Sequence, residues 1–351
     1  MIECTRVSRR LAAMSLAILF CFTAWAAPGA AEDAAAFYKG KTFRFVAGAG
    51  VGGGYDAYAR MLAPHLGKAL GANAVVENQP GAGGLVALNR IYVAEPDGLQ
   101  VLILNGGVAV LSQLSDVEAV RYDLAKLEYL ATVSSSPWLV LVNPSSPFKS
   151  IADMKAAKEP IRWSAVGRID GLSDGAAMVC AAYALDCRIV MGYQSSNEGA
   201  LAIARGEMDA IFVSDTSANS YVKAGNAKAI GQVGLKRSQF FADLPTALEM
   251  GKLTAEQEYW MTLRTSVDAL GRVLVTTPGI PQDRLDYLRA AVKTMLTDPA
   301  VIAEGQRGDR YVAFEDAEVT RNRALGIVAK TPAEQKARIK DVVTKKYFSG
   351  N

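Results

Sequence analysis

A glycine-rich loop, a serine between two glycines and a single histidine are the residues of this chain best placed to do chemistry. The run Gly48-Ala49-Gly50-Val51-Gly52-Gly53-Gly54-Tyr55-Asp56 lies between an apolar strand and an amphipathic helix. Gly48, Gly50 and Gly53 form G-x-G-x-x-G, the dinucleotide pattern, but the acidic residue expected about twenty positions on is missing. No G-x-x-x-x-G-K-[ST] occurs, which excludes a Walker phosphate loop. The physics beneath both motifs survives. Glycines let backbone N–H groups converge at a helix N-terminus, where free donors and the helix dipole favour an anion, a carboxylate as readily as a phosphate. A turn needing positive φ accounts for one or two of the five glycines, not for all. Asp56 has two readings, a helix start stabilised by its own dipole or a contact to a ligand donor or water.

The second constellation is Gly171-Leu172-Ser173-Asp174-Gly175, formally a G-x-S-x-G nucleophile elbow. In that fold the triad histidine follows the serine, whereas the one histidine here, His65, precedes Ser173 by 108 positions. A hydrolase lacks its base, so Ser173 reads as a helix-start residue and His65, near the apolar stripe of its helix, as structural. One histidine also rules out a multi-histidine metal site, and no cofactor is expected. Arg168, in the loop Ser164-Ala165-Val166-Gly167-Arg168, is either a bidentate partner for a carboxylate or a solvated surface arginine. Tyr193-Gln194-Ser195-Ser196-Asn197 and Ser214-Asp215-Thr216 are further polar loops between strand and helix. Trp138, Tyr55 and Tyr193 sit at element ends, where each could line a pocket or pack in the core.

The elements that must position these loops alternate. Phe43-Arg44-Phe45-Val46-Ala47 reads as a strand. A helix follows from Tyr55 to about Leu70, with Tyr58, Met61, Leu62, Leu66 and Ala69 on one face and Pro64 expected to kink it. Strand Ala74-Val75-Val76, a helix through Leu85, Leu88 and Ile91, and strand Val101-Leu102-Ile103-Leu104 ending at Asn105 complete a β-α-β-α-β rhythm, which implies a mainly parallel sheet. A second unit opens after Leu139-Val140-Leu141-Val142. Ser150 and Asp153 look like a capping box. Strands at 161–164, 188–191, 209–213 and 229–233 alternate with helices at 171–185 and 196–205. Beyond them Pro281 suits the first residue of a helix carrying Leu285, Leu288, Val292 and Leu296. Short crossings between the units leave a cleft between two α/β lobes.

Arg6, Arg9 and Arg10 followed by an apolar run over 11–23 have the form of a secretory signal, with A-x-A-like cleavage sites at Ala26 and Ala31. Removing 1–31 lowers the formal charge from +3 to near +1, a balance that points to neither nucleic acid nor a polyanionic surface. In an oxidising compartment Cys180 and Cys187 can form a disulfide. On one unbroken helix they would lie roughly 10 Å apart, so a bridge requires the chain to fold back near Leu185-Asp186; two separate buried thiols is the alternative.

Several of these stretches resemble the extracytoplasmic receptors of tripartite tricarboxylate transporters, the Bug-type solute-binding proteins. The resemblance is carried by Gly52-Gly53-Gly54-Tyr55-Asp56, Glu77-Asn78-Gln79-Pro80-Gly81-Ala82-Gly83-Gly84, Pro96-Asp97-Gly98, Gly192-Tyr193-Gln194-Ser195, Arg205-Gly206-Glu207-Met208-Asp209 and Asp243-Leu244-Pro245-Thr246, in order over about residues 36–330. It implies an α/β, two-lobed periplasmic-binding-protein fold, type II-like, with two mainly parallel sheets flanked by helices and two hinge crossings. The expected divisions are a signal peptide over 1–31, lobe one over 36–136, lobe two over 137–235, and a return to lobe one over 236–351. It implies a periplasmic, monomeric, non-enzymatic receptor that takes a small di-, tri- or aromatic carboxylate between its lobes and delivers it to membrane permease subunits. An exported enzyme or a ligand sensor using the same cleft is the alternative. The matching positions are Gly52, Gly53, Gly54, Tyr55, Asp56, Gly83 and Asn105 in lobe one and Ser164, Gly167, Ser195 and Asp215 in lobe two, with Arg168 beside them. The chain departs from the pattern at Val51, where proline is common, and at Gln194, where lysine is common. The lost cation disfavours a tricarboxylate unless Arg168 compensates. Residues 253–269, with Trp260, match least and receive no assignment.

Overall fold

The computed structural model describes residues 33–348, so the expected signal segment lies outside the described residues. The first unit contains helix α1 (Ala34–Tyr38), strand β1 (Thr42–Ala47), helix α2 (Gly54–Leu70), β2 (Asn73–Asn78), α3 (Leu85–Tyr92), β3 (Gln100–Asn105), α4 (Gly106–Leu114) and β4 (Glu128–Ser134). After residues 135–137 the chain enters a second unit of β5 (Trp138–Val142), β6 (Ile161–Ser164), α5 (Gly171–Tyr183), β7 (Cys187–Val190), α6 (Ser196–Ala204), β8 (Ala210–Ser214), α7 (Asp215–Lys223) and β9 (Lys228–Val233). Then follow α8 (Ala255–Asp268), β10 (Arg272–Thr276), α9 (Gln282–Thr297), α10 (Pro299–Arg307), β11 (Glu315–Asp316), α11 (Ala317–Lys330) and α12 (Ala333–Asp341).

One sheet has the order β11-β4-β10-β3-β1-β2 and the other β7-β6-β8-β5-β9. Both are mixed, which corrects the expectation of mainly parallel sheets. β1 runs parallel to β2 and β3, but β10 is antiparallel to β3 and β4, because it enters its sheet on the way back from the second unit. In the second sheet β6 pairs parallel with β7 and β8, while β5 lies antiparallel between β8 and β9. β3 and β5 are buried along their whole length, as strands covered on both faces must be.

Pro64 sits inside α2 and leaves the helix unbroken from Gly54 to Leu70. Its ring faces solvent, where one missing N–H is tolerated. Ser150 and Asp153 exchange backbone-to-side-chain hydrogen bonds of 2.9 and 3.2 Å, the reciprocal cap read from their spacing. The unassigned stretch is helix α8, opened by a Thr254–Gln257 capping box, and its Trp260, Met261 and Val267 join the core of the second sheet.

The segment after 236 does not return to the first lobe as a unit. Ile339, Val342, Val343 and Tyr347 pack into the second lobe's core, and the Ile189 N–H donates to the Tyr347 carbonyl at 2.8 Å. Cys180 and Cys187 are joined by a disulfide. Helix α5 ends at Tyr183 and Ala184 adopts a left-handed conformation at φ 49, so the chain doubles back and brings the two Cα atoms to 6.3 Å. No helix among the described residues is long and apolar enough to cross a membrane.

Candidate functional site

The first and second sheets point the ends of their strands at one another across a cleft. Gly53, Gly54 and Tyr55 at the start of α2, Gly83 in the turn before α3, Asn105 at the end of β3 and Ser195 before α6 line a single cavity there. These six expected residues come from four separate loops, and tertiary structure brings them together.

The cavity meets helix starts of two kinds. Some are already filled. Asp170 caps α5, taking the Leu172 and Ser173 N–H groups at 2.6 and 3.1 Å and the Gly167 N–H at 2.6 Å. Asn105 caps α4 through its Oδ1, which leaves its Nδ2 to face the cleft, and Ser195 caps α6. Others are open. Gly53 before α2 and Ser214 before α7 make no side-chain cap bond, although the first N–H of α7, from Asp215, goes to the Pro137 carbonyl at 3.0 Å. An uncapped first turn presents unsatisfied N–H donors and the positive end of the helix dipole.

The carboxylates closest to those open turns are turned away. Asp56, on α2, accepts from the Gly52 N–H at 3.0 Å and from Arg60 at 3.1 Å. Burial alone would raise its pKa, but the hydrogen bonds from Arg60, Gly52 and Asn78 outweigh that and hold it below the usual carboxylate range. Asp56 is thus the self-satisfied helix start. Asp215, on α7, accepts from Ser238 and Tyr311 hydroxyls, both at 2.8 Å; burial raises its pKa while those partners pull it down. It ties the two lobes together below the cavity and does not line it.

Four other expected residues also lie off the cavity, the first of them Gly52, whose N–H goes to Asp56. Ser164 is fully buried beneath Gly199 of α6, its hydroxyl without a partner. Gly167 spends its N–H on Asp170. Arg168 reaches the C-terminal segment, donating to the Thr344 carbonyl at 2.6 Å with its guanidinium 5.2 Å from the Phe348 ring centre. Nothing in the loop's composition revealed that the C-terminus would supply a better site for this side chain than the cleft. His65 pairs with Glu304 at 2.8 Å on the outer face, and Ser173 completes the reciprocal cap with Asp170, as the chain order suggested.

The residue that sequence reading missed is Arg272. It opens β10, is 4% exposed, and lines the cavity. Its guanidinium donates to Ser134 at 3.2 Å and, across the cleft, to Ser214 at 3.1 Å and Thr216 at 3.2 Å. It lies over the rings of Tyr58 and Tyr55, 4.4 and 5.5 Å from their centres. Its only sequence signal was a lone cation at the head of the apolar run Val273-Leu274-Val275. Opposite it, Trp138 stacks on Phe212 with ring centres 5.5 Å apart and, with Leu172 and Val213, gives the cavity an apolar wall. Behind that wall Arg264 and Asp268 form a buried ion pair. The described residues hold no cluster of three or more metal-ligating side chains.

A two-sheet α/β molecule with facing strand ends and a cavity at the seam has the periplasmic-binding-protein fold. The fold recurs in a solved periplasmic binding protein, BugD, at a TM-score of 0.73 and 20% identity, covering 88% of this chain and 99% of that one. It recurs also in MatC from Rhodopseudomonas palustris, solved with bound malate, at a TM-score of 0.68 and 22% identity over 86% and 99% of the two chains. Protein BugT of Bordetella pertussis is 24% identical over 331 residues, 92% of this chain and 98% of its own. Residues 58–339 match the family described as tripartite tricarboxylate transporter family receptor, and the chain belongs to that family. It is a solute-binding protein for transport, not an enzyme.

Proposed function

We propose that this receptor binds a small organic acid in the cleft between its lobes, in the periplasm, and hands it to the permease of a tripartite tricarboxylate-type transporter. The observation that carries this reading is the pair of uncapped helix starts, α2 from one lobe and α7 from the other, that border one cavity with Asp56 and Asp215 both turned away. Two such starts and a buried arginine make a site for an anion, since Asp170, a carboxylate that lines it, is spent on the Leu172, Ser173 and Gly167 N–H groups. Gly53, Gly54, Tyr55, Gly83, Asn105 and Ser195 are the expected residues that fall on this ligand surface. That a protein of the same fold holds malate supports a carboxylate as the ligand class. The absence of Lys at Gln194, with Arg168 engaged elsewhere, favours acids of low charge over a tricarboxylate.

The test is a thermal-shift screen of the mature protein, stripped of carried-over ligand by unfolding and refolding, against malate, adipate, benzoate, citrate and dinucleotides. At 100 times Kd a ligand raises stability by about 2.7 kcal/mol, a readily measured shift. A saturable shift with a carboxylate is the expected result. A response confined to dinucleotides would return the glycine loop to its older motif and end the carboxylate reading.

A further inference from the structure

We infer that Arg272 is the specificity-determining residue of the cleft, the counter-ion that one ligand carboxylate must supply; the inference rests on the carboxylate-receptor reading above. The guanidinium is permanently charged and nearly fully buried, yet its bonded partners are neutral hydroxyls: Ser134, Ser214 and Thr216. Its Nε is buried without any partner. Among the described residues no carboxylate comes within ion-pair distance of it. The carboxylates nearest the seam make their hydrogen bonds elsewhere, Asp170 to the start of α5, Asp268 to Arg264, and Asp215, which feels the Arg272 charge without bonding it, to Ser238 and Tyr311.

The contrast with Arg264 is informative. Both arginines are buried, but Arg264 has Asp268 four residues on along its own helix. A buried charge without a partner is costly, and proteins retain one only where something repays it. The faces of Tyr58 and Tyr55 repay part and hold the guanidinium plane in place. The remainder falls to whatever enters the cavity.

Position adds to charge. A Cβ placed on Gly54 would lie 3.7 Å from the Arg272 Nη2 and 3.5 Å from the Ser217 hydroxyl, so the open start of α2, the start of α7 and the guanidinium converge on one spot. A carboxylate there receives donors from both lobes at once. The rest of the ligand then lies along Trp138 and Leu172, which suits an acid with an apolar body. A neutral amide of the same shape supplies no counter-ion and is rejected.

The experiment measures Kd by isothermal titration for malate, adipate, benzoate and benzamide with the refolded wild type, Arg272→Gln and Arg272→Lys. For an acid that binds the wild type, Arg272→Gln is expected to weaken binding roughly 100-fold, and Arg272→Lys less, since losing a charged hydrogen-bond donor costs more than moving one. Without ligand, Arg272→Gln should melt at or above the wild-type temperature, because it removes a buried charge that has no ion-pair partner. Unchanged affinity in Arg272→Gln overturns the inference and leaves the receptor reading intact. So does a variant whose unliganded melting temperature drops while Arg272→Lys restores it without restoring affinity, the signature of a structural tether. Equal binding of benzoate and benzamide by the wild type overturns it even if neither variant folds. If the wild type binds none of the three acids, the carboxylate reading itself fails, and this inference with it.

Discussion

Gly83 of the first lobe lies directly against Ile169 and Asp170 of the second: a Cβ on Gly83 would collide with the Ile169 carbonyl and come within 2.7 Å of the Asp170 Cα. Gly50 stands in the same relation to Gln194, whose carbonyl oxygen would be 2.9 Å from an added Cβ. The glycines of these loops therefore do two jobs. Gly52 supplies a positive φ of 81, and Gly50 and Gly83 let the backbones of the two lobes approach across the cavity.

Gly50→Ala is the cleaner probe of that approach, since its φ lies outside the left-handed region and the added methyl acts through contact alone. We expect ligand binding to weaken by about tenfold or more while the unliganded melting temperature stays within a degree or two of wild type, because the penalty falls only on the state in which the lobes meet. Small-angle scattering should show less compaction on adding ligand. Full affinity in this variant would mean that the lobes need not come this close.

Arg168→Ala should leave carboxylate affinity within about threefold and lower stability by roughly 1–2 kcal/mol, the loss of a charged hydrogen bond to the Thr344 carbonyl. Titration and denaturant melts on one preparation separate the two effects. A large loss of affinity with normal stability would restore Arg168 to the ligand.

Asp174 is fully buried on α5, and neither carboxylate oxygen has a hydrogen-bond partner. Burial pushes its pKa well up, Arg264 pulls it down, and Asp170 and Asp268 push it further up. The native state therefore holds a proton that the unfolded chain releases near pH 3.9. Its favourable contribution is whole below that pH and is lost as pH rises toward the native value. Asp174→Asn should flatten the fall in unfolding free energy as pH rises above about 4, by up to about 1.4 kcal/mol per pH unit. Asp268, pushed up to about 6 by burial against the pull of Arg264, contributes to the slope that remains, as do Asp170 and Asp215, both raised by burial. Identical pH profiles for variant and wild type would show that Asp174 does not titrate in this range.

Reducing the Cys180–Cys187 bridge, or replacing both cysteines by serine, opens a short loop that closes the end of α5 onto β7. The expected loss is about 2–3 kcal/mol, read from urea melts with and without reductant. Ligand affinity should hold, because the bridge lies at the far end of α5 from the cavity-lining Gly171 and Leu172.

Much of this was legible before folding. The strand over 43–47, the helix after the glycine run, the reciprocal Ser150–Asp153 cap and the helix after Pro281 all follow from apolar period and capping chemistry, which act over a few residues. Helix α8 escaped because its buried face carries Arg264 and Asp268 beside Trp260, Met261 and Val267; a polar pair on the inner face breaks the amphipathic pattern. The bridge could not be read because it hangs on a left-handed Ala184, a residue with no preference for that conformation.

The sequence by itself determined the local elements, the helix starts that can hold an anion, the lack of a histidine base, and through its ordered motifs the receptor family. Only the tertiary structure decided which of those helix starts stay open. Asp170, Asn105 and Ser195 fill theirs, Asp215 turns to Tyr311 ninety-six residues away, and Arg168 leaves the cleft for the C-terminus. It alone brought Arg272 to the seam. The reason is physical: hydrogen bonding and burial of a charge depend on what the whole fold places within about 3 Å, and no spacing along one chain encodes that distance.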